Sequence, residues 1–88
     1  MKTIQLKNAV LRHLVQFGSS FAHLLVSIER VSSVYNRMVI EVIDTKRFYE
    51  VYYPSNDEIP FEYNGSSISL DEVFPHEVTI IEYTQTPN

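Results

Sequence analysis

The chain contains no cysteine and no tryptophan, only two glycines and, beyond Arg47, no lysine or arginine. Without cysteine there are no disulfides, no thiolate metal sites and no cysteine nucleophile. With glycine confined to Gly18 and Gly65, neither a phosphate-cradling loop nor a dinucleotide fingerprint can be written, because both need several glycines between a strand and a helix. Long apolar runs are missing too. The uninterrupted ones reach a few residues, far below the ~20 that a membrane helix needs. The opening Met1-Lys2-Thr3-Ile4-Gln5-Leu6-Lys7 is basic like a secretion signal, but Lys7 and Arg12 break the apolar segment and no small-residue cleavage site follows. A cytoplasmic protein that makes no membrane contact is expected.

What is present is enough for one folded domain. The 88 residues are 44% hydrophobic and 12% aromatic, too apolar for intrinsic disorder. A single domain over residues 1–88 with a modest core is expected, since chains of this size bury somewhat over ~60% of their unfolded surface. Charge is sorted along the chain. Seven basic and three acidic residues give the first 47 positions +4, and eight acids give the remainder −8, for the net −4. Such asymmetry speaks of partners and solubility rather than fold.

Apolar residues recur at alternating spacings of four and three: Val10, Leu14, Phe17, Phe21, Leu24, Ile28 and Val31. A polar stripe of Arg12, Gln16, Ser19, His23, Ser27 and Arg30 lies opposite, and the pair of stripes predicts one long amphipathic helix over about 8–33. Asn8 is its expected N-cap. Gly18 is its weak point and the place for a kink, but the stripe stays in phase across it. At ~1.5 Å per residue this helix would measure roughly 39 Å.

After Asn36 the period becomes two. A hairpin is expected over about 38–53, turning at Asp44–Arg47, and a second over about 60–70 around Asn64-Gly65, a pair suited to a type I′ turn. Ser69-Leu70-Asp71-Glu72 has capping-box spacing for one helical turn, ended by Pro75. A last strand is expected over about 77–84. The fold class expected is α+β, the long helix packed on a small antiparallel sheet of about four to five strands.

Chemistry finds little support. His13 and His23 are ten residues apart, too far for one ion on a straight helix, and His76 stands in a loop, so no metal site is expected. No serine sits in a nucleophile elbow. A two-residue turn at Thr45-Lys46 would set Glu41 opposite Glu50, and paired carboxylates suit acid catalysis, but any other register dissolves the pair. A helix-turn-helix reading would offer DNA only His23, Ser27 and Arg30 from a net acidic chain, against the phosphate neutralisation that dominates such binding. No catalytic residue, cofactor or direct nucleic-acid contact is expected.

There remains the acidic second half, its carboxylates interleaved with tyrosines. Aromatics are enriched at protein interfaces, and carboxylates on a rigid sheet can imitate a run of phosphates. The expected function is therefore a non-enzymatic protein-binding module. It would be an inhibitor of the kind carried by phages and mobile elements, a comparison of composition alone, presenting Glu50, Tyr52, Asp57, Glu58, Glu62, Tyr63, Asp71 and Glu72 to a basic, nucleic-acid-binding surface of another protein. The alternatives are a structural protein forming a homodimer through its long helix, and a small enzyme using Glu41 and Glu50.

Overall fold

The computed structural model describes residues 2–55, 61, 66–77 and 81–86. It is mostly sheet. In chain order the elements are β1 (Thr3–Lys7), α1 (Asn8–Phe17), β2 (His23–Arg30), β3 (Tyr35–Val42), β4 (Arg47–Pro54), β5 (Ser67–Glu77) and β6 (Ile81–Thr84). The five strands of the main path run in the order β1-β5-β4-β3-β2, with β6 paired to the far part of β5, and every pairing is antiparallel. Among the described residues no helix is long and apolar enough to cross a membrane.

The expected long helix is thus corrected to ten residues followed by a strand. Gly18 ends it, in the left-handed conformation at φ 81° with its N–H donated to the Leu14 carbonyl at 2.8 Å. Glycine reaches that conformation without strain, and it turns the chain back on itself. Beyond Gly18 the helical spacing of the stripe runs through a β-bulge, which leaves its members Leu24 and Ile28 on opposite faces of the strand. The register slips between Leu25, opposite Ile40, and Ser27, opposite Val39, so Leu25 and Ile28 share a face although they are three apart. Three is a helical spacing as much as a bulged-strand one. The helix start also differs: Lys7 holds the cap position in extended conformation without a side-chain bond, and Asn8 is the first helical residue. The Asn8 amide donates to the Ser66 carbonyl at 2.8 Å, while its buried Oδ1 has no partner among the described residues.

β1 forms where the sequence pattern predicts no strand: Thr3–Lys7 alternates exposed and half-buried positions, and Ile4 and Leu6 face the core. Its pairing with β5, from Thr3 opposite Asp71 to Lys7 opposite Ser67, draws Ser69–Glu72 into a strand in place of the expected helical turn. Five ladder partners outweigh a capping box. The β3–β4 hairpin covers the stretch of alternation, although its turn spans Ile43–Lys46 rather than Asp44–Arg47. Lys46 takes φ 57° there and donates its N–H to the Val42 carbonyl at 2.8 Å. Val42 then lies opposite Arg47, Glu41 opposite Phe48 and Glu50 opposite Val39, so the carboxylate pair does not form. Asn64-Gly65 lies outside the described residues. Of the last expected strand, Glu77 ends β5 and Ile81–Thr84 forms β6.

Both faces of the central strands are covered. On one, Leu11 and Leu14 of α1 pack on Met38, Ile40, Tyr49, Val51 and Leu70, with Tyr53 against Phe61 at a ring separation of 5.1 Å. On the other, Val39 and Val73 are buried, and Phe48 meets Tyr83 of β6 at 5.0 Å. The helix end provides a test of this account. A Cβ at Gly18 would meet nothing within 4 Å, so Gly18→Ala carries only the backbone penalty. It should lower stability by about 1–2 kcal/mol in urea unfolding with the fold unchanged; no loss would contradict the left-handed cap.

Candidate functional site

Two features stand out on this scaffold, an ion-paired cluster on the face away from α1 and an uncharged apolar belt around β2. The cluster centres on Arg37. Alternation along β3 and β4 places Arg37, Val39, Glu50 and Tyr52 on one face. Arg37 Nε donates to Glu50 Oε1 at 2.6 Å, Nη1 to Glu29 Oε1 at 3.1 Å, and Nη2 to the Tyr83 carbonyl. Gln85 Nε2 donates to the second Glu50 oxygen. Burial works to lower the Arg37 pKa, but hydrogen bonds to Glu50 and Glu29, with the charge of Glu50, more than reverse it, so Arg37 stays a cation. Each oxygen of Glu50 has a donor. The cluster is a fastening that holds residues 83–85 across the sheet.

This placement bears on the residues expected to meet a partner. Glu50, Tyr52 and Asp71 share the cluster's face, Glu50 lying opposite Asp71 across β4 and β5. Glu50 is buried, Asp71 half-buried and Tyr52 exposed. Glu72 lies opposite Tyr49, on the helix side, also buried, with Arg47 Nη1 4.0 Å from its carboxylate. Asp57, Glu58, Glu62 and Tyr63 lie outside the described residues.

The belt was not anticipated. Seven large apolar side chains between positions 17 and 35 are exposed: Phe17, Phe21, Leu24, Ile28, Val31, Val34 and Tyr35. Phe21 is 104% exposed, as open as in an extended chain. From His13 through Ile28 there is no charged residue, a gap of 16 positions between Arg12 and Glu29. A solvent-facing helix of that length would carry charges on its outer side, so the gap was the signal available in the sequence. Leu24, opposite Glu41, and Ile28, opposite Met38, lie on opposite faces of β2, and the belt therefore wraps the sheet's edge.

At the belt's start the chain reverses between α1 and β2. Ser20 N–H donates to the His23 carbonyl and Leu25 N–H to the Gly18 carbonyl, both at 2.8 Å, while the Ser20 hydroxyl accepts the His23 amide at 3.2 Å. The reversal brings His13 and His23 to one open hollow of about 440 Å³, which the ten-residue spacing did not suggest. His13 stacks on Phe17 at 4.7 Å, and His23 Nδ1 lies 3.4 Å from Ser20 Oγ. Among the described residues no three metal-ligating side chains gather. Comparison with known proteins brings no relative: no family model, no curated protein and no solved structure matches the chain.

The cluster predicts unequal effects. Arg37→Met strands the buried Glu50 carboxylate and should remove about 3–5 kcal/mol of stability. Glu29→Ala, at a side chain that is 55% exposed, should remove about 1 kcal/mol or less. Combining Arg37→Met with Glu50→Leu should recover most of the loss in denaturant titrations, since an apolar pair of similar volume often replaces a buried ion pair without penalty. Burial also holds His23 below its ordinary value of 6.5, so the folded chain favours the neutral ring. As pH falls through 6.5 the unfolded chain takes up that proton first, and the stability present above 6.5 declines. Thermal unfolding of the parent and of His23→Gln at neutral and mildly acidic pH should show a smaller drop for the variant.

Proposed function

We propose that this chain is a non-enzymatic protein-binding module that meets its partner through the apolar belt from Phe17 to Tyr35. The exposure of Phe21 carries the reading. Scattered surface apolar residues are ordinary, but contiguous ones rimmed by polar groups mark interaction sites. Here they follow one reversal and one edge strand, Phe17, Phe21, Leu24 and Ile28 lying in the uncharged stretch between Arg12 and Glu29, and Val31, Val34 and Tyr35 continuing past Glu29 and Arg30. Fully burying a side chain such as Phe or Leu contributes about 1.5–3 kcal/mol, so a few of these residues supply the anchors that dominate an interface.

The acidic half has a lesser part in this reading. Glu50 and Glu72 are buried beside Arg37 and Arg47, and a carboxylate already paired inside the fold offers little to a basic groove. The partner surface that fits is apolar at its centre. Acids outside the belt speed encounter with a basic rim rather than provide the contact.

Affinity capture from a bacterial lysate with tagged parent chain and with a Phe21→Ser/Leu24→Ser variant tests this. Both positions are exposed, so the variant should fold and unfold like the parent while retaining about a tenth or less of the captured protein. Equal capture by the two, or loss of capture on changing Tyr52 and Asp71 instead, would overturn the belt reading.

A further inference from the structure

We infer that the belt's occupant is a second copy of this chain, the Phe21 ring of each copy seated in the other's hollow beside α1. This names the partner of the surface described above and rests on that reading. The first ground is shape. Ala9, Val10 and His13 of α1, with Ser20, Ala22 and His23 of the reversal and β2, line an open hollow of about 440 Å³, and Phe21 forms part of the same lining with its side chain fully exposed. A projection beside a cavity is self-complementary. One twofold rotation places both rings in both hollows, giving an interface that uses the same patch twice.

The second ground is order. Phe21 does not hang from a free loop. The bridge between Ser19 and Leu24, with the bonds Ser20 to His23 and Leu25 to Gly18, pins the backbone on both sides of it. A side chain presented on a fixed hairpin loses little further freedom on docking. The third ground is charge. No Lys, Arg, Asp or Glu occurs from His13 through Ile28, whereas the whole chain carries −4. A contact confined to this stretch sets no charged side chains of the two copies against one another.

Area sets the size of such a pair. Complete covering of Phe17 and Phe21, the most exposed of the belt, would remove about 300 Å² per copy from water. A standard interface takes about 800 Å² per partner. Ile28, Val31 and Val34, only 39–56% exposed, continue the surface and add less than this again, so the pair is a small one, at or below the low end of the range of about 1,200–2,000 Å² in total that specific interfaces bury.

Sedimentation velocity of the purified chain from about 1 µM to about 1 mM decides the matter. The parent should shift from monomer to dimer in this range, and Phe21→Ser should weaken the dimer by about tenfold or more with an unchanged circular-dichroism spectrum. Ala9→Phe, which fills the hollow from an exposed helix position, should do the same. A parent that stays monomeric throughout, or a dimer indifferent to Phe21→Ser, would overturn the inference. Should the parent be monomeric while the belt variant still loses captured protein, the belt reading survives and only the second copy is rejected. Indifference of both self-association and capture removes both.

Discussion

Arg37 and Glu50 sit side by side under the last strand, and the arrangement of the sheet's outer face follows from having to satisfy them. An ion pair withdrawn from water starts with a desolvation penalty of several kcal/mol per charge, which the mutual attraction offsets only when the remaining hydrogen-bonding capacity is also met. Here it is met from three directions. Glu29 comes from β2, the Tyr83 carbonyl from β6 and the Gln85 amide from the residue following it. Segments far apart in sequence are thereby tied to one place, and displacing any of them would leave part of the pair unbonded. Apolar side chains could fill the same volume, but they would not specify which backbone carbonyl lies over β3. The pair also supports the second small core, since the segment it holds carries Tyr83, the ring that covers Phe48.

The other face is solved differently and less completely. A ten-residue helix is about 15 Å long and about 10 Å wide, and strands are spaced at about 4.8 Å, so one helix can cover only two or three strands of five. The buried cluster follows that footprint: Leu11 and Leu14 lie over the central strands, where Met38, Ile40, Tyr49 and Val51 are enclosed. At the sheet's edge Leu25 packs beside this core, while Ile28, on the same face of β2 but further along it, stays partly open. The part of the belt on this face, Ile28 included, is apolar sheet surface beyond the reach of α1.

Legibility in the sequence divides along the same line. The β3–β4 hairpin could be read because period-two alternation persists on both sides of one turn, and the first half of the helix because its spacing is unbroken as far as Gly18. The error beyond Gly18 came from trusting phase. A bulge at Val26 spaces Leu25 and Ile28 as a helix would, and β2 is apolar on both faces, which blurs alternation further. β1 is five residues with two half-buried positions, and only its distant partner β5 makes it a strand. The roles of Glu50 and Glu72 could not be read at all, because whether a carboxylate faces solvent or an arginine depends on register, and register depended on a four-residue turn with Lys46 left-handed. What could have been read is the missing charge between Arg12 and Glu29. On a 26-residue surface helix it is an anomaly; on a reversal and an edge strand that meet a partner it is expected.

An exposed edge strand carrying apolar side chains invites open-ended stacking of sheets, and β2 ends the described sheet. Three features oppose that outcome. Residues 18–20 already occupy the outer side of β2's first residues, the bulge at Val26 interrupts the ladder, and Glu29 and Arg30 place charges at its end. Backbone pairing is thus discouraged along most of the strand, and association is left to side chains. A contact made by side chains through one projecting ring and one adjacent hollow is satisfied when each ring is seated, whereas a strand edge added to a strand edge always exposes another. The same segment that leaves the apolar surface open therefore limits how it can be used, favouring a closed pair over a growing sheet.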